Sequence, residues 1–293
     1  MLWYPPVPLH KEEGCRPFFI VGPARSGTTL LRRILQASPE IHIPPEMKTL
    51  GRAISFFRRN RNMRWEHLVH NVVALFEFHP DADALGISLR PLAQRLVDAP
   101  PEKRSLAHIL DSFYRYHGGQ NGETFERWGD KTPGNVRYLD RIRAVFPDAK
   151  YLCMIRDGVD AVASSLLAGI KKEVADAAMQ WRADIRAARS FARRHPADCR
   201  EVCYEKLVTD PGAAIKEVYE FLQVGFSPEM IESRDHVDAM TDLSVFEHHA
   251  KAGEPITTES IGKGRRGLPP EDRAVVQRLA GDMLRALGYE PAV

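Results

Sequence analysis

Phe18-Phe19-Ile20-Val21-Gly22-Pro23-Ala24-Arg25-Ser26-Gly27-Thr28-Thr29-Leu30-Leu31 is the stretch that decides the fold of this chain. The apolar run from Pro17 to Val21 stops at Gly22, and beyond Gly27 the positions Leu30, Leu31, Ile34 and Leu35 fall at helical spacing. In a strand, glycine loop and helix of this kind, the backbone N–H groups of a tight turn and the positive end of a helix dipole converge on an anion. The spacing of Gly22 and Gly27 is that of a nucleotide-binding P-loop. A nucleoside triphosphate loop places lysine after its second glycine, whereas Thr28 stands there in this chain and the cation, Arg25, lies inside the loop. With the hydroxyls of Thr28 and Thr29, this loop suits one 5′ phosphate carrying a singly charged group better than a triphosphate clamped by magnesium.

Downstream the alternation repeats. VRYLDRIRAVF reads as helix, KYLCMI as strand, DAVASSLLAG as helix, REVCYEKLV as strand, and PGAAIKEVYEFLQ as helix with Pro211 in its first turn. The fold class expected is α/β, a P-loop-type parallel sheet flanked by helices, forming one domain over residues 1–293. Between about residues 49 and 124 amphipathic helical stretches such as WEHLVHNVVALFEF and SLAHILDSFYRY predict a helical insertion after the first strand and helix, a candidate acceptor region. Val174, Ala178, Trp181, Ile185 and Ala188 predict one long amphipathic helix between Glu173 and Arg194, with Trp181 in the core. Residues 240–268, rich in Gly, Lys, Arg and Thr without periodicity, read as an irregular functional loop.

Composition narrows the function. Forty-one basic against thirty-nine acidic residues, a formal charge of +2, argue against a surface devoted to nucleic acid or membrane, so a polyanion site must be local. No stretch approaches the roughly 18 apolar residues of a membrane span, and MLWYPPVPLHKEEGC lacks a signal-like apolar run, so a cytoplasmic location without a transmembrane segment is expected. Cys15, Cys153, Cys199 and Cys203 form no CxxC and read as reduced thiols. His67 with His70, and His248 with His249, lack a third ligand, so no metal is expected.

A second anion site follows the strand YLCMI. Arg156 precedes Asp157 and Gly158, and Ser164 lies eight residues past Arg156 in the next helix. Ligands of open α/β sheets gather at the carboxyl ends of the strands, so an arginine fork and a hydroxyl there, together with the first loop, describe a ligand with two separated phosphates.

These segments, PARSGTTLLRRIL, the region of Glu46, DKTP, YLCMIRDGVDAVASS, VCYEKLVTDP and SIGKGRR, resemble the P-loop sulfotransferases from about Phe18 to Leu268, leaving the insertion unmatched. The branch resembled contains the tyrosylprotein sulfotransferases and soluble bacterial relatives. The resemblance implies transfer of a sulfuryl group from 3′-phosphoadenosine 5′-phosphosulfate (PAPS) to a hydroxyl, leaving 3′-phosphoadenosine 5′-phosphate (PAP), with no metal. It implies that Arg25, Ser26, Gly27, Thr28 and Thr29 hold the 5′ phosphosulfate and that Arg156 and Ser164 hold the 3′ phosphate. Tyr204 would lie near the nucleotide or, as a strand residue, in the core, and Lys263, Arg265 and Arg266 would form a basic loop closing over the donor. Glu46 resembles the general base, with His42 the other candidate, although its alternation with Ile41 and Ile43 equally fits a strand. Lys131 resembles the lysine that stabilises the transition state, assisted by Arg25.

The acceptor is open. Tyrosylprotein sulfotransferases carry a basic residue four positions after the serine matching Ser164, where this chain has Ala168. Sugar, lipid and small-molecule hydroxyls are therefore favoured over peptide tyrosine. The basic run of Lys48, Arg52, Arg58, Arg59, Arg61 and Arg64 reads as a solvated helix face or as a receiver of an anionic acceptor or a membrane surface, and a homodimer is left open. The rival readings are a P-loop kinase or nucleotidase, which the missing lysine opposes, and a noncatalytic nucleotide-binding or nucleic-acid-binding protein.

Overall fold

Alternating burial along one strand organises the sheet. The computed structural model describes residues 4–11, 16–233 and 254–293. In strand β1 (Phe18–Val21) every residue is buried. Phe18 and Ile20 pack into one apolar cluster with Leu152 and Met154, and Phe19 and Val21 into another with Trp128, Tyr151 and Cys153. A strand apolar on both faces belongs inside a parallel sheet. The other strands are β2 (Ile41–His42), β3 (Arg127–Lys131), β4 (Lys150–Ile155) and β5 (Cys199–Cys203). Their order is β2-β3-β1-β4-β5, and all four pairings are parallel. The α/β class read from sequence holds.

Two details differ from the sequence reading. No strand is read from sequence around Lys131, because Arg127-Trp128-Gly129-Asp130-Lys131 carries little apolar character; it forms β3 and pairs with β1 nonetheless, Ile20 opposite Lys131. Gly129 permits this, since a Cβ there would lie 2.4 Å from the Phe18 ring. The strand expected through REVCYEKLV ends at Cys203, and Tyr204–Thr209 is a short helix, so Tyr204 is not a strand residue.

Helices cover both faces. α1 (Thr28–Gln36) follows the glycine loop, and the segment between β2 and β3 holds α2 (Leu50–Asn60), α3 (Trp65–Glu77), α4 (Arg90–Val97) and α5 (Leu106–Gln120), with no strand among them. Ile54 and Phe57 of α2, Leu68 of α3 and Phe113 of α5 complete the cluster around Phe19. After α6 (Leu139–Val145) and β4 come α7 (Gly158–Leu167) and the long α8 (Val174–Arg194), the latter within a residue of its expected span. Trp181 is 3% exposed, and the terminal helix Pro270–Ala286 packs with α7 and α8 through Val276, Ala280 and Leu284. Among the described residues no helix is long and apolar enough to cross a membrane.

The Phe19 ring has Trp128, Phe146 and Tyr151 around it, at centroid distances of 5.9, 6.2 and 5.6 Å. Phe19→Ala therefore opens a cavity that rigid strands cannot close, and urea unfolding should show a loss of about 3–5 kcal/mol.

Candidate active site

Each strand delivers a group at or just past its carboxyl end. β1 leads into Gly22, whose φ is 143°. A Cβ added at Gly22 would lie 2.6 Å from the Met154 carbonyl oxygen, so no side chain fits there. The loop then turns through Arg25, a non-glycine residue at φ 65°, and Gly27 at φ 89°, which caps α1 without a side-chain bond. Its first amides therefore have no capping side chain, the arrangement that holds an oxyanion at a helix start. A Cβ on Gly27 would lie 2.5 Å from the Tyr204 ring, so glycine is also required for Tyr204 to close over the loop. Thr28 and Thr29 begin the helix, and the buried Ser26 Oγ has no partner among the described residues.

Arg156, past the end of β4, is 7% exposed. Its guanidinium donates to the Arg25 carbonyl at 2.8 Å and the Ser260 carbonyl at 3.0 Å, and lies 4.3 Å from the Tyr204 ring centroid. Its Nε is buried without a partner among the described residues. Arg25 in turn donates from Nε to Ser164 Oγ at 3.1 Å. Burial first, then the neighbouring Arg156, pulls the Arg25 pKa down from the ordinary arginine value. Two guanidiniums held side by side with buried orphan polar atoms describe an anion site. Trp181 steadies it from below: its indole N–H donates to the Arg156 carbonyl at 3.2 Å, and its ring packs against Gly158.

Residues far apart in sequence meet at the other side of β1. Lys131, at the end of β3, is buried and donates to Glu46 Oε2 at 2.8 Å. Glu46 follows β2 by way of two prolines, and its side chain is 13% exposed. His42 is committed elsewhere: Nδ1 pairs with Glu123, and Nε2 meets His117 Nδ1 at 3.0 Å. Burial, then His42, lowers the His117 pKa to about 3, so His117 stays neutral at ordinary pH.

The late basic residues divide. Lys263, Arg265 and Arg266 lie on a short helix, Lys263–Gly267, rather than in an irregular loop, and the expected loop's portion up to residue 253, with His248 and His249, lies outside the described residues. Arg265 bonds Asp157 at 2.8 Å and the carbonyls of Glu290 and Pro291, and Arg266 bonds the Ile261 carbonyl, while Lys263 is exposed. What the sequence reading missed is the carboxylates that hold this segment. Asp157 caps α7, accepting from the Val159 amide at 2.7 Å, and Asp160 accepts the amides of Gly262 and Gly264, both at 2.7 Å. The Asp-x-x-Asp spacing at a helix start was their visible signal. In the basic run, Lys48, Arg52, Arg58, Arg59 and Arg64 are exposed, whereas Arg61 bonds the Val7 carbonyl at 2.7 Å. Among the described residues no cluster of three or more His, Cys, Asp or Glu is placed to hold a metal.

Asp160→Ala removes both amide acceptors, so Gly262 and Gly264 should exchange hydrogen about tenfold faster or more. Exchange read by mass spectrometry on peptides covering 254–268, against the surface control Asp176→Ala, checks this.

Comparison with known proteins agrees with the fold. The family model described as sulfotransferase family matches residues 17–228. Protein-tyrosine sulfotransferase A of Caenorhabditis elegans is 25% identical over 287 residues, covering 94% of this chain and 68% of the worm protein. Protein-tyrosine sulfotransferase 1 of Homo sapiens is 24% identical over 286 residues, covering 93% and 69%. Among solved structures, the sulfotransferase domain of the Synechococcus PCC 7002 olefin synthase shares the fold with a TM-score of 0.64 at 22% identity, covering 96% of this chain and 98% of that one. The sulfotransferase domain from the curacin biosynthetic pathway does so with a TM-score of 0.59 at 19% identity, covering 94% and 98%.

Proposed function

From the premise that this chain belongs to the sulfotransferase family, we propose that its sulfuryl donor is PAPS and that Glu46, Lys131 and Arg25 carry the transfer to a hydroxyl. The observation that carries this reading is the buried Arg156 tied to the loop of Arg25, with the Lys131–Glu46 pair across β1 from it and with Ser26 Oγ and Arg156 Nε left without partners among the described residues. The two orphan atoms suit the separated anionic groups of that donor.

In this reading the amides after Ser26, with Thr28 and Thr29, hold the 5′ phosphosulfate, and Arg156 and Ser164 hold the 3′ phosphate. Tyr204 packs against the nucleotide, and Lys263 is the late cation that meets it, since Arg265 and Arg266 are engaged within the protein. Glu46 takes the proton of the acceptor hydroxyl as its oxygen approaches sulfur. Lys131 and Arg25 place positive charge on the bridging oxygen that leaves with PAP, and no metal is needed for that role. The ammonium at 2.8 Å from Glu46 favours the carboxylate form, so proton transfer runs concerted with sulfuryl departure rather than ahead of it. His42, with both ring nitrogens engaged, is set aside as base. The exposed Lys48 and Arg52, just past Glu46, favour an acceptor with anionic character. The free thiols of Cys153, Cys199 and Cys203 suit a reducing compartment, and a cytoplasmic location is part of the proposal.

PAP should raise the melting temperature without added metal, and ATP with magnesium should not. In the same assay Arg156→Ala should weaken PAP more than Lys131→Ala does; equal affinities would remove Arg156 from the 3′ phosphate. Glu46→Gln should keep PAP affinity and lower turnover by roughly 10²–10⁴. Near-normal turnover by that variant would take the base role away from Glu46.

A further inference from the structure

Beside the Lys131–Glu46 pair lies a second carboxylate that the roles above leave unused. Asp130 precedes Lys131 in β3 and is 5% exposed. Its Oδ2 accepts the Tyr114 hydroxyl at 2.6 Å, and its Oδ1 accepts the Asn135 amide at 2.8 Å. Tyr114 comes from α5, in the segment between β2 and β3, where its ring stacks on Trp128 with centroids 3.7 Å apart and planes 4° apart. Asn135 comes from the short helix Pro133–Tyr138, and the neighbouring Thr132 hydroxyl, which donates to the Met47 carbonyl at 3.4 Å, also favours the charged form of Asp130. These hydrogen bonds to Asp130 thus come from neutral groups. Among the described residues the charged groups around it are Glu46, from the segment before α2, and Lys131 on its own strand, whose ammonium turns to Glu46.

Ionising a buried carboxylate on neutral donors alone is costly. Burial, against the hydrogen bonds from Tyr114, Thr132 and Asn135 and with the charge of Glu46 adding to it, raises the Asp130 pKa to about 6. The repulsion is mutual: an anionic Asp130 raises the proton affinity of Glu46 by as much as Glu46 raises its own. With the ammonium at 2.8 Å from Glu46 and neutral donors on Asp130, a proton entering this cluster on acidification lodges on Asp130.

We propose that Asp130 is a positioning residue for sulfuryl transfer, whose negative charge keeps Glu46 basic against the pull of Lys131, and that Tyr114 governs that charge from the helical segment between β2 and β3. The inference rests on Glu46 being the base. It answers the weakness of that assignment, since an ammonium alone beside a carboxylate makes it a poorer base. Asp130 is anionic above about pH 6 and neutral below it, so turnover should be full on the alkaline side and fall as pH drops through that value.

The test is the pH dependence of kcat over roughly pH 5 to 9, read as PAP released from PAPS with 1-butanol, whose hydroxyl keeps its proton across that range, as the acceptor probe. Wild type should show an acid limb near 6, the value set by the buried Asp130. Asp130→Asn should lose that limb and turn over on the order of tenfold more slowly at neutral pH, with PAP affinity unchanged. Tyr114→Phe removes a donor to the charged form, so its limb should move to higher pH. A merely structural role for either residue would lower kcat without moving the limb, and a limb unmoved in both variants overturns the proposal.

A second readout needs no acceptor and no mutant turnover. In protein labelled with carbon-13 at the aspartate carboxyls, the resonance missing from Asp130→Asn should titrate near 6 in wild type and at higher pH in Tyr114→Phe. A resonance that titrates at the ordinary aspartate value also overturns the proposal. Wild type that neither binds PAP nor releases it from PAPS would instead strike the donor reading, and the carboxyl titration would still report on the buried anion.

Discussion

A guanidinium buried at the end of an inner strand must find acceptors, and the way Arg156 finds them determines the arrangement of the site. It takes one carbonyl from the glycine loop after β1 and one from Ser260, more than a hundred residues downstream, and lies on the ring of Tyr204 after β5. Removing the guanidinium would leave three chain segments without their common partner. Trp181 completes the arrangement by holding the Arg156 carbonyl from the long helix beneath. The sheet end is thus held by these contacts, and they leave the buried Arg156 Nε without a partner among the described residues.

The parallel topology supplies the rest. With β1 between β3 and β4, the pairings of Ile20 with Lys131 and of Val21 with Cys153 bring the ends of β3 and β4 to either side of the glycine loop. One flank carries Lys131 and Glu46, the other Arg156 and Ser164. The proposed sulfuryl transfer and anion binding would thus fall on opposite sides of one loop, their residues positioned by strand register.

The parts legible in the sequence were those whose signal is local. β1, the glycine loop, β4 and α8 announce themselves through apolar runs and helical spacing, and Arg25, Arg156 and Ser164 could be singled out because they flank such runs. β3 gave no such signal. Its Asp130 and Lys131 are polar residues in a buried strand, tolerated only because Tyr114, Asn135 and Glu46 satisfy them from other elements. The Lys131–Glu46 contact spans 85 residues, and no periodicity encodes it. The helix at Lys263–Gly267 was hidden for a similar reason, because a five-residue stretch with two glycines has no intrinsic drive to be helical and is held by Asp160 from α7.

The link between Asp160, Arg156 and the late segment has a bearing on how the protein is made. Synthesis runs from the amino end, and domains begin to fold before the chain is finished. The strands β1 to β5, the glycine loop and α7 precede residue 204, but the Ser260 carbonyl and the amides of Gly262 and Gly264 leave the ribosome last among the groups they bond. Until then the strands, the buried arginine and the helix-end carboxylate have emerged without those partners. The contacts of Arg156 with Ser260 and of Asp160 with Gly262 and Gly264 thus wait on synthesis of the late segment, and a product truncated before it has the strand sequences without those contacts.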